Sequence, residues 1–297
     1  MYPRFLEIEI TGNCRYRCQH CYGAFPQEGT LSTPTVVQVL EQARGFFDCV
    51  ILSGGEPLLH PGLADMVEAA CRDFAVFITT SGYGLTEQLL DRIHDRAILV
   101  FGMDGIGDTH DRYRCSQGAF RELVRCLDMT RHLPKEIIVT LWRDVLPEID
   151  RIIEFARPYS TILHFNNLIP VGRACTHSTI VPEVTALEAA EQKLRVLKKT
   201  TGWIITDLHR VTEADRATGI ELFCKGRFNI TPRGDVRPCE FHHTVFGNIY
   251  QQALPDILTA ACQTELIRSR EEGFRRQVRT DLANPYDYHT TICHRIG

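Results

Sequence analysis

Residues 11–23 read TGNCRYRCQHCYG and follow directly on the apolar run FLEIEI at 5–10. Cys14, Cys18 and Cys21 therefore sit together on a loop at the C-terminal end of a short β-type run. A four-thiolate zinc or iron–sulfur site needs another pair close by, yet the next cysteine, Cys49, lies inside a second β-type run. The loop offers three thiolates and leaves one coordination position open, the arrangement kept by catalytic metal sites. A purely structural zinc site is the bland alternative.

Outward from this loop, β-type runs alternate with amphipathic helical patterns. The strand candidates are FLEIEI (5–10), CVILSG (49–54), AVFITT (75–80), AILVFG (97–102), EIIVTLW (136–142) and TILHFNN (161–167), with helical stretches from 33, 62, 85, 119 and 148 between them. This alternation predicts an α/β fold with a parallel sheet and right-handed crossovers. Six βα units predict a partial (β/α)6 TIM-like barrel, with functional groups gathered at the C-terminal ends of the strands. A further helix is expected over 181–200, after which the alternation stops. FCKGRFNITPRGDVRPCEFHHTVFGNIY (223–250) reads as a hairpin turning at PRGD. The expected domains are a partial barrel over 1–205 and a small hairpin-plus-helix module over 206–297.

Bulk properties exclude several classes. The 297 residues are 44% hydrophobic and 24% charged with a net charge of −4, so no basic excess points to nucleic acid or an acidic membrane surface. No apolar run approaches the roughly 20 residues of a membrane span. The N-terminus lacks a signal-peptide layout, which gives a cytoplasmic reading. In that reducing compartment the 12 cysteines favour metal ligation or catalysis over disulfides. Cys49, Cys71 and Cys126, set in apolar patterns, read instead as small hydrophobes.

CRYRCQHC (14–21) resembles the C-x-x-x-C-x-x-C signature of radical S-adenosylmethionine (SAM) enzymes. The resemblance implies that Cys14, Cys18 and Cys21 hold a [4Fe–4S] cluster, that SAM chelates the fourth iron, and that the reduced cluster cleaves SAM to methionine and a 5′-deoxyadenosyl radical. It places His20 beside the adenine. LSGGEPLLHP (52–61) looks like the family's GGE motif, implying that Gly54, Gly55 and Glu56 bind SAM, with Glu56 on its amino group. Glycines there also suit close approach of a ligand to the backbone. TTSGYGLT (79–86) resembles a strand-three T-N-G motif with Ser81 in the Asn place. GMDGIGDTHDRYR (102–114) resembles an S-x-D-G…hd-x-x-R stretch with Gly102 in the Ser place. Position alone brings Asp104, Arg143 and Asn166 to the same rim as cofactor contacts, with His110 and His177 as further polar groups.

The C-terminal hairpin is similar to the cysteine-bearing SPASM and shorter twitch extensions, which bind auxiliary iron–sulfur clusters. The similarity implies one auxiliary cluster, of the [4Fe–4S] type, on Cys224, Cys239 and Cys293. The fourth ligand is Cys262, a histidine (His242, His243 or His294) or a substrate atom. Cys262 lies in a helical pattern and has a core reading as well. Zinc in this module would be structural.

Two reactions fit the resemblance: dehydrogenation with the auxiliary cluster as electron sink, and epimerisation with a thiol returning a hydrogen atom. Cys175, just past strand six, and Cys115, beyond strand four, are the candidate catalytic thiols. The chain begins at its first strand without a leader-peptide domain ahead of it, which favours a small polar hydroxylated substrate. The leading expectation is an epimerase or dehydrogenase acting on a carbinol carbon of an aminocyclitol or aminoglycoside in antibiotic biosynthesis. The alternative is a maturase modifying a ribosomally made peptide. Either implies an external electron donor such as flavodoxin or ferredoxin.

Overall fold

A computed structural model describes residues 4–23, 29–207 and 227–264. Strands β1 (Phe5–Thr11), β2 (Cys49–Gly54), β3 (Ala75–Thr80), β4 (Ile98–Gly102), β5 (Lys135–Leu141) and β6 (Ile162–Asn167) pair in parallel in chain order. Between them lie α1 (Thr33–Ala43), α2 (Leu63–Ala70), α3 (Glu87–Ile93), α4 (Asp108–Arg114), α5 (Ala119–Met129) and α6 (Ile149–Ala156). The long α7 (Val184–Thr201) leads to β7 (Ile204–Asp207), a seventh parallel strand paired with β6. The boundary expected at 205 thus falls inside β7. Among the described residues no helix is long and apolar enough to cross a membrane.

The hairpin after the barrel is not a detached module. Its strands β8 (Arg227–Ile230) and β9 (Asp235–Arg237) are antiparallel, and β10 (Gly247–Asn248) follows. β8 then pairs in parallel with β1, so the sheet runs β10-β9-β8-β1-β2-β3-β4-β5-β6-β7. Gly234, at φ +87°, makes the turn that PRGD predicted. A last helix, α8 (Leu254–Cys262), buries Leu254, Ile257, Leu258 and Ala261 but leaves Cys262 exposed, against its core reading.

Period-two alternation divides the side chains of each strand between two faces. Leu6, Ile8 and Ile10 of β1 join Val50, Leu52 and the helices in the main core, whereas Phe5 joins Cys49, Ile51, Phe77, Ile98 and Val100 in a second cluster on the inner, luminal face. Strands buried on both faces are what a helix-covered parallel sheet requires. Local signals start the helices where expected. Ser32 accepts the Thr35 N–H and Pro34 opens α1; Thr86 accepts the Leu89 N–H ahead of α3. Cys49 and Cys126 are fully buried, as small hydrophobes should be, and Cys71 is half-buried.

Alternation also puts Glu7 and Glu9 on the luminal face, where a polar seam joins β1 to β8. Ser53 Oγ donates to Glu7 (2.6 Å), Asn229 Nδ2 donates to Glu9 (3.1 Å), and Arg227 pairs with Glu240 at 2.6 Å and Glu7 at 3.8 Å. A buried polar group without a partner costs about 1–3 kcal/mol, so these bonds hold the hairpin in register on β1. Burial, then the Glu7 charge, pushes Glu9 up from 4.5 to about 8, with Asn229, Arg237 and Tyr22 acting against that rise. The folded chain therefore keeps a proton that the unfolded chain loses near pH 4.5. Stability contributed by this proton is present below that pH and is lost as pH rises towards 8. Denaturant titrations from pH 4.5 to 8 should show this decline, and Glu9→Gln should flatten it; an unchanged slope would contradict the assignment.

Candidate functional site

The cysteine loop is clamped from three directions. The turn after β2 docks on it through backbone alone: Gly55 N donates to Thr11 O and Glu56 N to Asn13 O, both at 2.7 Å. A Cβ on Gly54 (φ +128°) would lie 2.3 Å from Thr11 O, and one on Gly55 2.3 Å from Asn13 O. On the side where a Cβ would stand, both glycines meet the cysteine loop itself. From the second direction, the end of α4 receives Gln19 N on Tyr113 O (2.9 Å) and Arg17 N on Arg114 O (3.3 Å). From the third, the turn after β6 brings Arg173 N to Cys21 O and Arg173 Nη1 to Cys18 O, both at 3.0 Å.

Held in this way, Cys14, Cys18 and Cys21 share one small cluster with Tyr16, Tyr83 and Ala119. Burial pushes the Cys18 thiol up to about 12 and also raises Cys14, with the neighbouring cysteines adding to both. Iron ligation would reverse this, since a coordinating thiol is deprotonated outright. Among the described residues no three His, Cys, Asp or Glu side chains surround a single metal-ion position. The three thiols gathered on this loop would suit an iron–sulfur cluster, whose ligands are Cys thiolates.

Glu56 is buried, and its carboxylate is met by four donors. Oε1 accepts Thr80 Oγ1 (2.6 Å) and Leu58 N (3.2 Å); Oε2 accepts Ser81 N (2.9 Å) and Ser81 Oγ. Burial raises its pKa while these donors lower it. Ser81, in the Asn place of the strand-three motif, thus orients Glu56. Asp104 at the end of β4 pairs with Arg114 at 2.6 Å. Burial works to raise Asp104, but Arg114, His20 and His110 outweigh it and hold the carboxyl below its usual range. A Cβ at Gly102 would lie 2.3 Å from Arg114 Nη2, so the glycine in the Ser place gives Arg114 its room.

His20 is buried and stacked on Tyr113 (centroids 4.6 Å apart, 10° between planes), which stacks in turn on Trp142 (4.1 Å, 14°). Burial, reinforced by Arg114 and Arg173, lowers His20 to about 4 against the pull of Asp104, so the ring is neutral at physiological pH. Among the described residues, His20 Nδ1 and Asn166 Oδ1 are buried and meet no hydrogen-bond partner. Orphaned atoms on the cysteine loop and near the end of β6 would suit a polar ligand seated at the strand ends.

The other expected residues are less gathered. Arg143 is exposed in the turn after β5. Cys115 is exposed at the end of α4 in a left-handed conformation (φ 51°), and Cys175 is exposed with Sγ 3.0 Å from Pro170 O. Cys239 is buried beside the Arg227–Glu240 pair. Cys224, Cys293 and His294 lie outside the described residues. Sequence reasoning missed Tyr113, Trp142 and Arg173. Arg114 and Tyr113 lay inside the hd-x-x-R stretch, whereas nothing local marks Arg173.

Two family profiles match the chain: the Radical SAM superfamily over residues 8–156, half of its length, and SPASM, an iron–sulfur cluster-binding domain, over 224–286. An AdoMet-dependent heme synthase of Methanosarcina barkeri is 26% identical across 91% of this chain and 86% of its own length. The sporulation killing factor maturation protein SkfB of Bacillus subtilis is 23% identical across 86% of this chain, which spans 64% of that relative. Streptococcus suis SuiB bound to precursor peptide SuiA shares the fold at TM-score 0.73 and 14% identity, over 91% of this chain and 67% of that one.

The glycine contacts yield a direct test. Gly55→Ala should cost about 1–3 kcal/mol, the usual range for overpacking, and should lower the iron and sulfide bound per chain after anaerobic reconstitution. Gly45→Ala, where φ is +77° and a Cβ meets no described residue within 4 Å, adds backbone strain away from the loop and should leave iron content at the parental level.

Proposed function

The chain belongs to the radical SAM superfamily and carries a SPASM iron–sulfur cluster-binding domain, and from this premise we propose that it matures a ribosomally made peptide. Membership implies a [4Fe–4S] cluster with SAM, and auxiliary iron–sulfur in the SPASM domain, which together supply the radical chemistry that attacks unactivated C–H bonds. In this proposal Cys14, Cys18 and Cys21 hold the first cluster. Gly54, Gly55, Glu56 and Ser81 shape the wall beside it, and His20 presents its free ring face to SAM. Asp104 holds Arg114 in place at the end of β4. Arg143 and Asn166 face the substrate side of the rim, and Cys239, with Cys224, Cys293 and Cys262, serves the auxiliary cluster. Flavodoxin or ferredoxin delivers the electron.

The observation that carries the peptide reading is the match to SkfB, which runs through both the radical SAM and the SPASM segments and concerns a protein named for maturation. The precursor peptide held by a protein of the same fold adds support. This reading replaces the expected small polar hydroxylated substrate. Relatives matching most of the chain are named for heme synthesis and for maturation of a killing factor, not for epimerisation or dehydrogenation of an aminocyclitol or aminoglycoside. Neither Cys175 nor Cys115 is needed as a hydrogen donor in this proposal.

A second reading, a heme-type tetrapyrrole substrate, rests on the heme synthase match over nearly the full length of both chains. One assay separates the two. Reconstituted enzyme with SAM and reductant is incubated anaerobically with a candidate precursor peptide or with an iron porphyrin bearing propionates. The peptide reading predicts a mass change in the peptide in step with release of 5′-deoxyadenosine, and an unaltered porphyrin. Porphyrin mass loss with an unaltered peptide would transfer the assignment to the second reading.

A further inference from the structure

Arg173 sits in the short turn Gly172–Thr176 after β6 and reaches the cysteine loop across 155 positions of sequence. Its backbone N–H donates to Cys21 O and its guanidinium Nη1 to Cys18 O. Gly172 makes this approach possible: its φ is +56°, and a Cβ there would lie 2.3 Å from Tyr22 O and 2.4 Å from Cys21 O. The guanidinium also acts electrostatically on His20, which lies between the second and third cysteines.

Two arginines thus flank the loop, but their charges are handled differently. Arg114 is paired with the buried Asp104 at 2.6 Å, so its charge is largely balanced. Among the described residues no carboxylate pairs with Arg173; its guanidinium is half-buried and its hydrogen bond runs to a neutral carbonyl. An unbalanced cation partly shielded from water interacts more strongly than an exposed one with a charge that appears nearby. Reducing an iron–sulfur cluster adds one negative charge to it, and net charge and hydrogen bonding around a cluster are among the factors that set its potential.

We propose that Arg173 sets the reducibility of the cluster held by Cys14, Cys18 and Cys21, by placing one uncompensated positive charge against the loop that carries them. One electron passes from the external reductant to the cluster, and the guanidinium favours the more negative, reduced form. Arg173 touches neither SAM nor substrate in this role; it acts through the cluster. The inference needs no particular substrate, so it stands or falls apart from the peptide reading.

The test is an EPR-monitored redox titration of reconstituted holoenzyme, following the reduced-cluster signal that responds to SAM. Arg173→Gln and Arg173→Met should each lower the ratio of reduced to oxidised cluster about threefold to tenfold at a fixed potential, a tenfold change being about 59 mV for one electron. Arg173→Lys, which keeps the charge, should titrate close to the parent. Neutral variants that titrate like the parent would overturn the proposal. So would a Lys variant shifted as far as the neutral ones, since contact rather than charge would then be at work. If both neutral variants fail to load the cluster while Lys loads it, Arg173 serves assembly and the proposal is equally overturned.

Discussion

The close backbone approach of Gly54–Gly55 to Thr11–Asn13 is the constraint on which the site depends. Two 2.7 Å hydrogen bonds lock the turn after β2 to the first residues of the cysteine loop, and neither position has room for a side chain. Cys14 begins one residue beyond this contact. Its direction is therefore fixed by parallel pairing of β1 with β2, which ends at the Thr11–Gly54 pair after a register shift beyond Glu9. Glu56, next in the chain, carries the same constraint to β3 through Thr80 and Ser81. Strand pairing, the turn and the cysteine loop thus form one continuous rigid unit.

The far side of the loop is closed by weaker and longer-range means. The end of α4 and the turn after β6 contribute carbonyls and N–H groups, and the His20–Tyr113–Trp142 stack ties the loop to α4 and to the residue that follows β5. The arrangement leaves His20 neutral and Arg173 charged. A neutral ring offers a face for stacking, and an unbalanced cation offers a field. β1 also connects the loop to the auxiliary segment, because β8 pairs along it and Tyr22 meets Phe241 edge-on at 5.4 Å.

Much of this was readable in the sequence because it is local. The cysteine spacing, the six βα units and the PRGD turn are all patterns within a few residues of one another; to the expected parallel strands the structure adds β7 beside β6 and the parallel docking of β8 on β1. The partners of Gly54, Arg173 and Glu9 were not readable, since each contact joins segments far apart in the chain; Glu9 and Asn229 are 220 positions apart. A charged residue on a strand gives no local sign of which distant amide will satisfy it. The reaction was the least readable part. A thiol such as Cys175 suggested hydrogen return and an epimerase, but an exposed cysteine on a rim loop has no pattern that separates a donor from a bystander.

The central claim is that the cluster on Cys14, Cys18 and Cys21 keeps one iron open for SAM. The most direct test is the EPR spectrum of the reduced cluster in a Cys239→Ala variant, made to remove the auxiliary cluster proposed to bind there, recorded with and without SAM. The account predicts that SAM changes the signal in this variant, and that Cys14→Ala abolishes both the signal and its response. A signal indifferent to SAM, or an anaerobically prepared chain that binds no iron, would contradict it.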